Sequence, residues 1–199
     1  MTGIIDYEAG NIRSVENALK RLGAEYILSG DPAVLSGCDR LLLPGVGEAG
    51  WAMSRLDENG LSDFIRNTDR PLLGICLGMQ LLCSRSEEGD VECLGIFATQ
   101  VRHFRSALRH GSGLKVPQVG WNSIGGLKTG LFSGVDDGAY MYFVHSYFAG
   151  ICEDTVAVTE YGLQFSSALR RGNFMGCQFH PEKSGDAGER ILANFLKLP

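Results

Sequence analysis

Apolar runs short enough to be buried strands alternate with helical patterns through the first 85 residues, and no other feature narrows the fold as far. "GIID" (3–6), "EYILS" (25–29), "RLLLPG" (40–45) and "PLLGI" (71–75) read as strands. Between the first two, "NIRSVENALKRLG" puts Ile12, Val15, Ala18, Leu19 and Leu22 on one helical face and stops at Gly23. "GLSDFIRN" gives another helical pattern ahead of Pro71. Strands alternating with helices predict a parallel sheet covered by helices.

The second half changes character. Residues 91–178 are rich in glycine, aromatic and β-branched residues, with turn signals at "GG" (125) and "DDG" (136). "AYMYFVHSYF", "DTVAVTEY", "LQFSSAL" and "NFMGCQF" read as strands, and "SGDAGERILANFLKL" as a final helix opened by Ser184. With no repeat and no dividing linker, the expectation is one α/β domain over 1–199. Its central sheet is mostly parallel and flanked by helices, with extra β-hairpins in the second half.

Composition excludes more than it assigns. A formal net charge of −5 gives no reason to expect nucleic acid or an anionic membrane as a partner. No run approaches the ~18 apolar residues of a membrane span. "MTGIIDYEAG" lacks the basic start and long apolar stretch of a signal peptide, so a cytoplasmic location is expected. The six cysteines, Cys38, Cys76, Cys83, Cys93, Cys152 and Cys177, form no C-x-x-C pair, which argues against zinc or a redox dithiol. Free thiols, no metal and no cofactor are expected.

Five of those cysteines read as small buried hydrophobes. Cys76 differs. "GICLG" is the thiol version of a nucleophile elbow, a tight strand-to-helix turn that exposes its central side chain. The following helix would aim its positive end near the sulfur, favouring thiolate, and the Leu77 N–H could face an oxyanion. A buried cysteine in a glycine-rich turn is the plain alternative, and the elbow alone does not decide between them. A nucleophilic thiol needs a base, and there are four histidines. His103 and His110 lie in a basic, polar stretch. His180 is singled out by Glu182, because residues two apart in an extended chain share a side and Pro181 biases His180 toward extended geometry. A lone H-x-E is more often a strand-end histidine beside a surface glutamate. "LLLPGVGEAG" could present backbone N–H groups to an oxyanion, or be an ordinary strand-to-helix turn.

Taken together, "PGVG", "GICLGMQLL" and "QFHPEKS" resemble the class I (triad-type) glutamine amidotransferases, in order and at sensible separations. The resemblance covers essentially the whole chain. It implies a triad of Cys76, His180 and Glu182, and an oxyanion strand of Gly45, Val46 and Gly47 with the Leu77 N–H as second donor. It implies that Gln80 and Glu88 help bind glutamine, with the backbone around His145, Ser146 and Tyr147 along its other side. "IIDYEAGNIRSVENALKRLG", "SEEG", "VPQVGWNSI" and "YFVHSYF" narrow the resemblance to the branch that passes ammonia to a (β/α)8-barrel cyclase subunit in histidine biosynthesis, as a heterodimer.

Two departures are visible: Glu8-Ala9 replaces a small and apolar pair, and Gln118 stands where a histidine is frequent. A related subunit feeding another synthase, for example in surface-sugar biosynthesis, would share the glutaminase chemistry. A silent binding module is disfavoured by the intact triad, and a cysteine peptidase by "GMQ" and "SEEG", which suit a small amino-acid pocket. Because ammonia must avoid bulk water, the partner is expected to dock around the pocket mouth, on the loop from Tyr7 to Asn11, Trp121 and Asn122, Tyr142 and Lys183.

Overall fold

The apolar runs pair as the alternation predicts. In the computed structural model, which describes residues 1–8, 10–108 and 113–198, β1 (Thr2–Ile5), β2 (Tyr26–Ser29), β3 (Arg40–Gly45) and β4 (Leu72–Cys76) lie parallel in the order β2-β1-β3-β4. Ala9 and His110, both singled out in the sequence, lie outside the described residues. Downstream come β5 (Arg85–Ser86), β6 (Val91–Glu92), β7 (Gln100–His103), β8 (Gln118–Ser123), β9 (Tyr140–His145), β10 (Tyr147–Ala149), β11 (Thr155–Glu160), β12 (Gln164–Arg171) and β13 (Phe174–Cys177). The last of these returns to pair in parallel with β4. Beyond it the sheet turns antiparallel through β12, β10 and β7, with β11 on β12 and the short β5 and β6 at the edge. The second half supplies two hairpin-like pairs, β11–β12 and a separate antiparallel ribbon of β8 and β9.

The helices are α1 (Ile12–Arg21), α2 (Pro32–Ser36), α3 (Ala49–Glu58), α4 (Leu61–Asn67), α5 (Leu77–Leu81), α6 (Phe104–Ala107) and α7 (Gly185–Phe195). Two cores lie on opposite faces of the parallel strands. Leu41, Leu43 and Leu72 pack with Leu35 of α2, Met53 and Leu56 of α3, and Leu61 and Ile65 of α4. Leu42, Leu73 and Ile75 pack with Val15 and Leu19 of α1 and Ile191, Leu192 and Phe195 of α7. Period-two alternation therefore sends neighbouring leucines of one run to different cores, which is why these strands are apolar throughout rather than alternating. Among the described residues no helix is long and apolar enough to cross a membrane.

Helix ends follow the local chemistry in part. Gly23 stops α1 at φ 65°, with Gly23 N donating to Lys20 O and Ala24 N to Leu19 O, the paired bonds of a Schellman ending. Ser184 precedes α7 but does not cap it. Its hydroxyl donates to His180 O at 2.6 Å and accepts from Tyr142 N at 3.0 Å, so it ties a loop to β9 instead. The sequence reading did not single out α3; its N-terminus is held by Glu48, which accepts from Gly50 N and Trp51 N at 2.8 and 2.7 Å.

Two glycines allow α5 to lie directly on the sheet. A Cβ on Gly78 would collide with the Leu43 carbonyl of β3, and one on Gly74 would sit 2.6 Å from the Gly78 carbonyl. The obstructing atoms are backbone, which cannot swing away. Gly78→Ala should therefore cost ~3 kcal/mol or more in chemical denaturation. By contrast Gly37, at φ −80° with its nearest obstruction 3.5 Å away, should accept alanine within ~0.5 kcal/mol. Equal denaturation midpoints for the two variants would remove the packing argument.

Candidate active site

Cys76 is the last residue of β4, and the chain turns into α5 at the next residue. It adopts φ 54° and ψ −110°, a conformation side-chain-bearing residues rarely hold and which costs on the order of 1–3 kcal/mol. Its backbone pairs with Gly45 at the end of β3, so thiol and glycine loop leave the sheet side by side. Leu77 opens α5, where backbone N–H groups lack intrahelical acceptors.

A cavity of about 280 Å³ opens over the thiol, sized for a small ligand. It is lined by Val46, Gly47, Cys76, Leu77, Gln80 and Glu88, and by His145, Ser146 and Tyr147. Pro117 and Val144 also line it and were not anticipated. Gly45, the buried last residue of β3 where the glycine loop begins, does not line it. Glu88 is half-buried and its Oε2 accepts from Ala49 N at 3.0 Å, tying the β5–β6 turn to the start of α3. Burial raises its pKa, partly offset by that bond, and neighbouring Glu48 adds to the rise.

His180 follows β13 in extended conformation, at φ −99° and ψ 94°. Glu182 meets it differently from the expectation. Residues Pro181–Lys183 form a 3₁₀ turn rather than an extended segment, and the turn brings Glu182 Oε1 to 2.8 Å from His180 Nδ1. Both side chains are fully buried. Burial alone would push the imidazole down, but the Cys76 thiol and the Glu182 carboxylate outweigh it and raise His180 to about 10. Burial would likewise raise Glu182, but hydrogen bonds from His180 and Asn11 hold it below its ordinary value. His180 Nε2 is buried and has no hydrogen-bond partner among the described residues.

Two contributors escaped the sequence reading. Asn11, expected only at an interface, donates from Nδ2 to Glu182 Oε1 at 2.7 Å. It holds a left-handed conformation at φ 71° and leaves α1 without a side-chain cap, since its amide is engaged elsewhere. Nothing local signals this contact; the β1–α1 loop and the His180 turn meet only in the fold. Gln178, fully buried, donates from Nε2 to Cys76 Sγ at 3.7 Å and accepts from Gln80 Nε2 at 2.8 Å. It lies two residues before His180, and the alternation applied to Glu182 would have found it.

None of the remaining expected residues lines the cavity. Trp121 is 55% exposed and packs edge-on against half-buried Tyr142 at 6.0 Å. Val119, Val144 and Tyr140 share that outer face of the β8–β9 ribbon. Lys183 is exposed, whereas the Asn122 amide is turned inward to Glu160 O at 2.9 Å. Tyr7 is fully buried, so of the loop expected to dock it offers nothing to the surface. Glu8, at φ 69°, shows why a small residue suits that position; here an ion pair with Arg55 at 2.6 Å holds the glutamate.

The class I glutamine amidotransferase family model matches residues 3–198. The chain is 53% identical over 195 residues to the imidazole glycerol phosphate synthase subunit HisH of Bacteroides fragilis, covering 98% of both chains. To the HisH subunit of Xanthomonas axonopodis pv. citri it is 46% identical over 196 residues, covering 98% of this chain and 96% of the relative. Among solved structures it resembles a glutamine amidotransferase with a TM-score of 0.74 at 22% identity, covering 98% of this chain and 97% of that one.

The six thiols differ sharply in surroundings. Cys83 and Cys177 are fully buried and burial pushes both well up, while burial takes Cys93 to about 11. A glutamine-like diazo-ketone should alkylate Cys76 first, read by peptide mass mapping. First labelling at Cys83 or Cys177 would overturn the assignment of the nucleophile.

Proposed function

The chain belongs to the class I glutamine amidotransferases, and from that premise we propose that it hydrolyses glutamine to glutamate and ammonia as the glutaminase subunit of an imidazole glycerol phosphate synthase, in histidine biosynthesis. The observation that carries this is full-length identity of about half to HisH subunits, joined to a thiol, imidazole and carboxylate clustered at one small cavity.

The chemistry follows from the groups present. Cys76 attacks the side-chain amide carbon of glutamine as the thiolate, its proton resting on His180, and the developing oxyanion is held by backbone N–H groups of the Gly45–Gly47 loop and of Leu77. Such a donor is often worth ~3 kcal/mol. His180, kept protonated at neutral pH by its neighbours, gives its proton to the departing nitrogen, and ammonia leaves. A glutamyl thioester remains on Cys76. Water then attacks it with His180 as base, releasing glutamate and the thiolate and leaving His180 protonated again. Glu182 holds the imidazole by Nδ1 so that Nε2 faces the reacting atoms, and Asn11 holds Glu182. Both hydrogens of the Gln80 amide are engaged, at Tyr147 O and Gln178 Oε1, so Gln80 can offer the substrate only its carbonyl. With the Glu88 carboxylate it suits the donors of glutamine, the α-ammonium above all.

The ammonia goes to a (β/α)8-barrel cyclase subunit, which forms imidazole glycerol phosphate and an aminoimidazole carboxamide ribonucleotide; the two chains make a heterodimer. The interface is the outer face of the β8–β9 ribbon, with Trp121 and Tyr142, together with Asn11 and Lys183; Asn122 lies on the opposite face of the ribbon and serves it through the Glu160 carbonyl. The exposed apolar side chains there support the assignment, since an aromatic centre with a charged rim is a common interface pattern. The cytoplasm is the proposed compartment, in keeping with six free cysteines.

Two rates separate the roles. Cys76→Ser should lower glutamine-driven synthesis by at least ~10³-fold while ammonium-driven synthesis is unchanged. Tyr142→Ala and Lys183→Ala should each lower glutamine-driven synthesis about tenfold at low subunit concentration, again sparing the ammonium-driven rate. Full glutamine-driven activity in both of the latter variants would place the interface elsewhere.

A further inference from the structure

His145 stands beside the triad without belonging to it. Its Nδ1 lies 2.6 Å from the Tyr147 carbonyl, which can only accept, so Nδ1 carries a proton. The ring is buried, and burial takes its pKa down to about 4, with the nearby His180 adding to the fall. It is therefore neutral at pH 7 and has no second proton. Nε2 is then a lone pair, and it lies 3.1 Å from Gln118 Oε1. In that orientation two acceptors would face each other. Half a turn of the Gln118 amide leaves its shape unchanged and presents NH2 to the ring.

The consequences run inward. The Tyr147 carbonyl accepts from His145 Nδ1 and also from Gln80 Nε2 at 3.0 Å. Gln80 Nε2 donates onward to Gln178 Oε1 at 2.8 Å, which fixes the Gln178 amide with its own Nε2 toward Cys76 Sγ. Were the His145 proton on Nε2, a lone pair would face the Tyr147 carbonyl, and the acceptor that orients Gln80 would be repelled. Gln118, His145, Gln80 and Gln178 are 3%, 6%, 4% and 0% exposed, so water is poorly placed to substitute for a lost bond.

We infer that Gln118 is a positioning residue: by donating to His145 Nε2 it locks the ring as the Nδ1–H tautomer and so aligns the Gln80 and Gln178 amides on the pocket and the nucleophile. The inference rests on the glutaminase reading of the pocket, but its first test does not. Long-range ¹⁵N–¹H NMR of the full chain at pH 7 should find His145 neutral and protonated on Nδ1. An Nε2–H tautomer, or an imidazolium, would overturn the proposal, and this spectrum decides even if a variant fails to fold. Gln118→Glu offers the ring only acceptors; it should place a proton on Nε2 and lower glutaminase kcat/KM about tenfold, the loss expected for one buried hydrogen bond. Gln118→His can donate and should restore both tautomer and activity. Wild-type tautomer and kcat/KM in Gln118→Glu would also overturn it. Glutaminase activity surviving in Cys76→Ser would instead fault the reading of the pocket, leaving the tautomer result to stand by itself.

Discussion

Within one residue the chain passes from β4 to α5, and the backbone of Cys76 must stay in a conformation it would leave if free. The cost is offset by packing that begins with contact between main chains. With no Cβ on Gly74 or Gly78, the first turn of α5 settles against the Leu43 carbonyl of β3, and the pairing of Gly45 with Cys76 fixes where the glycine loop starts. The two cores then press helices onto both sides of the strands that make this corner. The sulfur is thus held at the packed interior of the sheet, while Glu88 and the aromatic pair Trp121 and Tyr142 sit on a turn and on the ribbon.

The surrounding charges are arranged around one proton. Burial by itself pushes His180 down and Glu182 up; each is countered by the other, with the thiol and the Asn11 amide completing the set. His145, at the end of β9 and also buried, has no such carboxylate and is neutral. Two histidines in one small site therefore carry opposite charge states for a reason visible in their neighbours. One moves a proton, and the other keeps amides in place.

What could be read in the sequence was what is local. The strands of the first half, the Gly23 stop of α1 and the elbow around Cys76 follow from periodicity and from glycine at fixed offsets. Pro181 misled in an instructive way: it did hold His180 extended, but it also starts a 3₁₀ turn, so Glu182 returns to His180 by curvature rather than by alternation. Asn11 and Gln118 were not legible as site residues because their partners lie far along the chain, on Glu182 and His145. Asn122 was placed at the mouth, yet its amide serves the Glu160 carbonyl, a contact between strands that no single segment records. Ser184 sits where a cap belongs and binds β9 instead, because the hydroxyl found better-placed partners there.

Those partners include the main chain of Tyr142. Its carbonyl accepts from His180 N at 2.9 Å and its N–H donates to Ser184 Oγ, so β9 grips the histidine through peptide groups while alternate side chains, Tyr140, Tyr142 and Val144, face outward. Every amino acid except proline brings the same peptide group. The outward face can consequently be rewritten residue by residue, to suit a new companion protein, without editing the atoms that hold the imidazole. A catalyst of this build can change allegiance over evolutionary time and keep its trade.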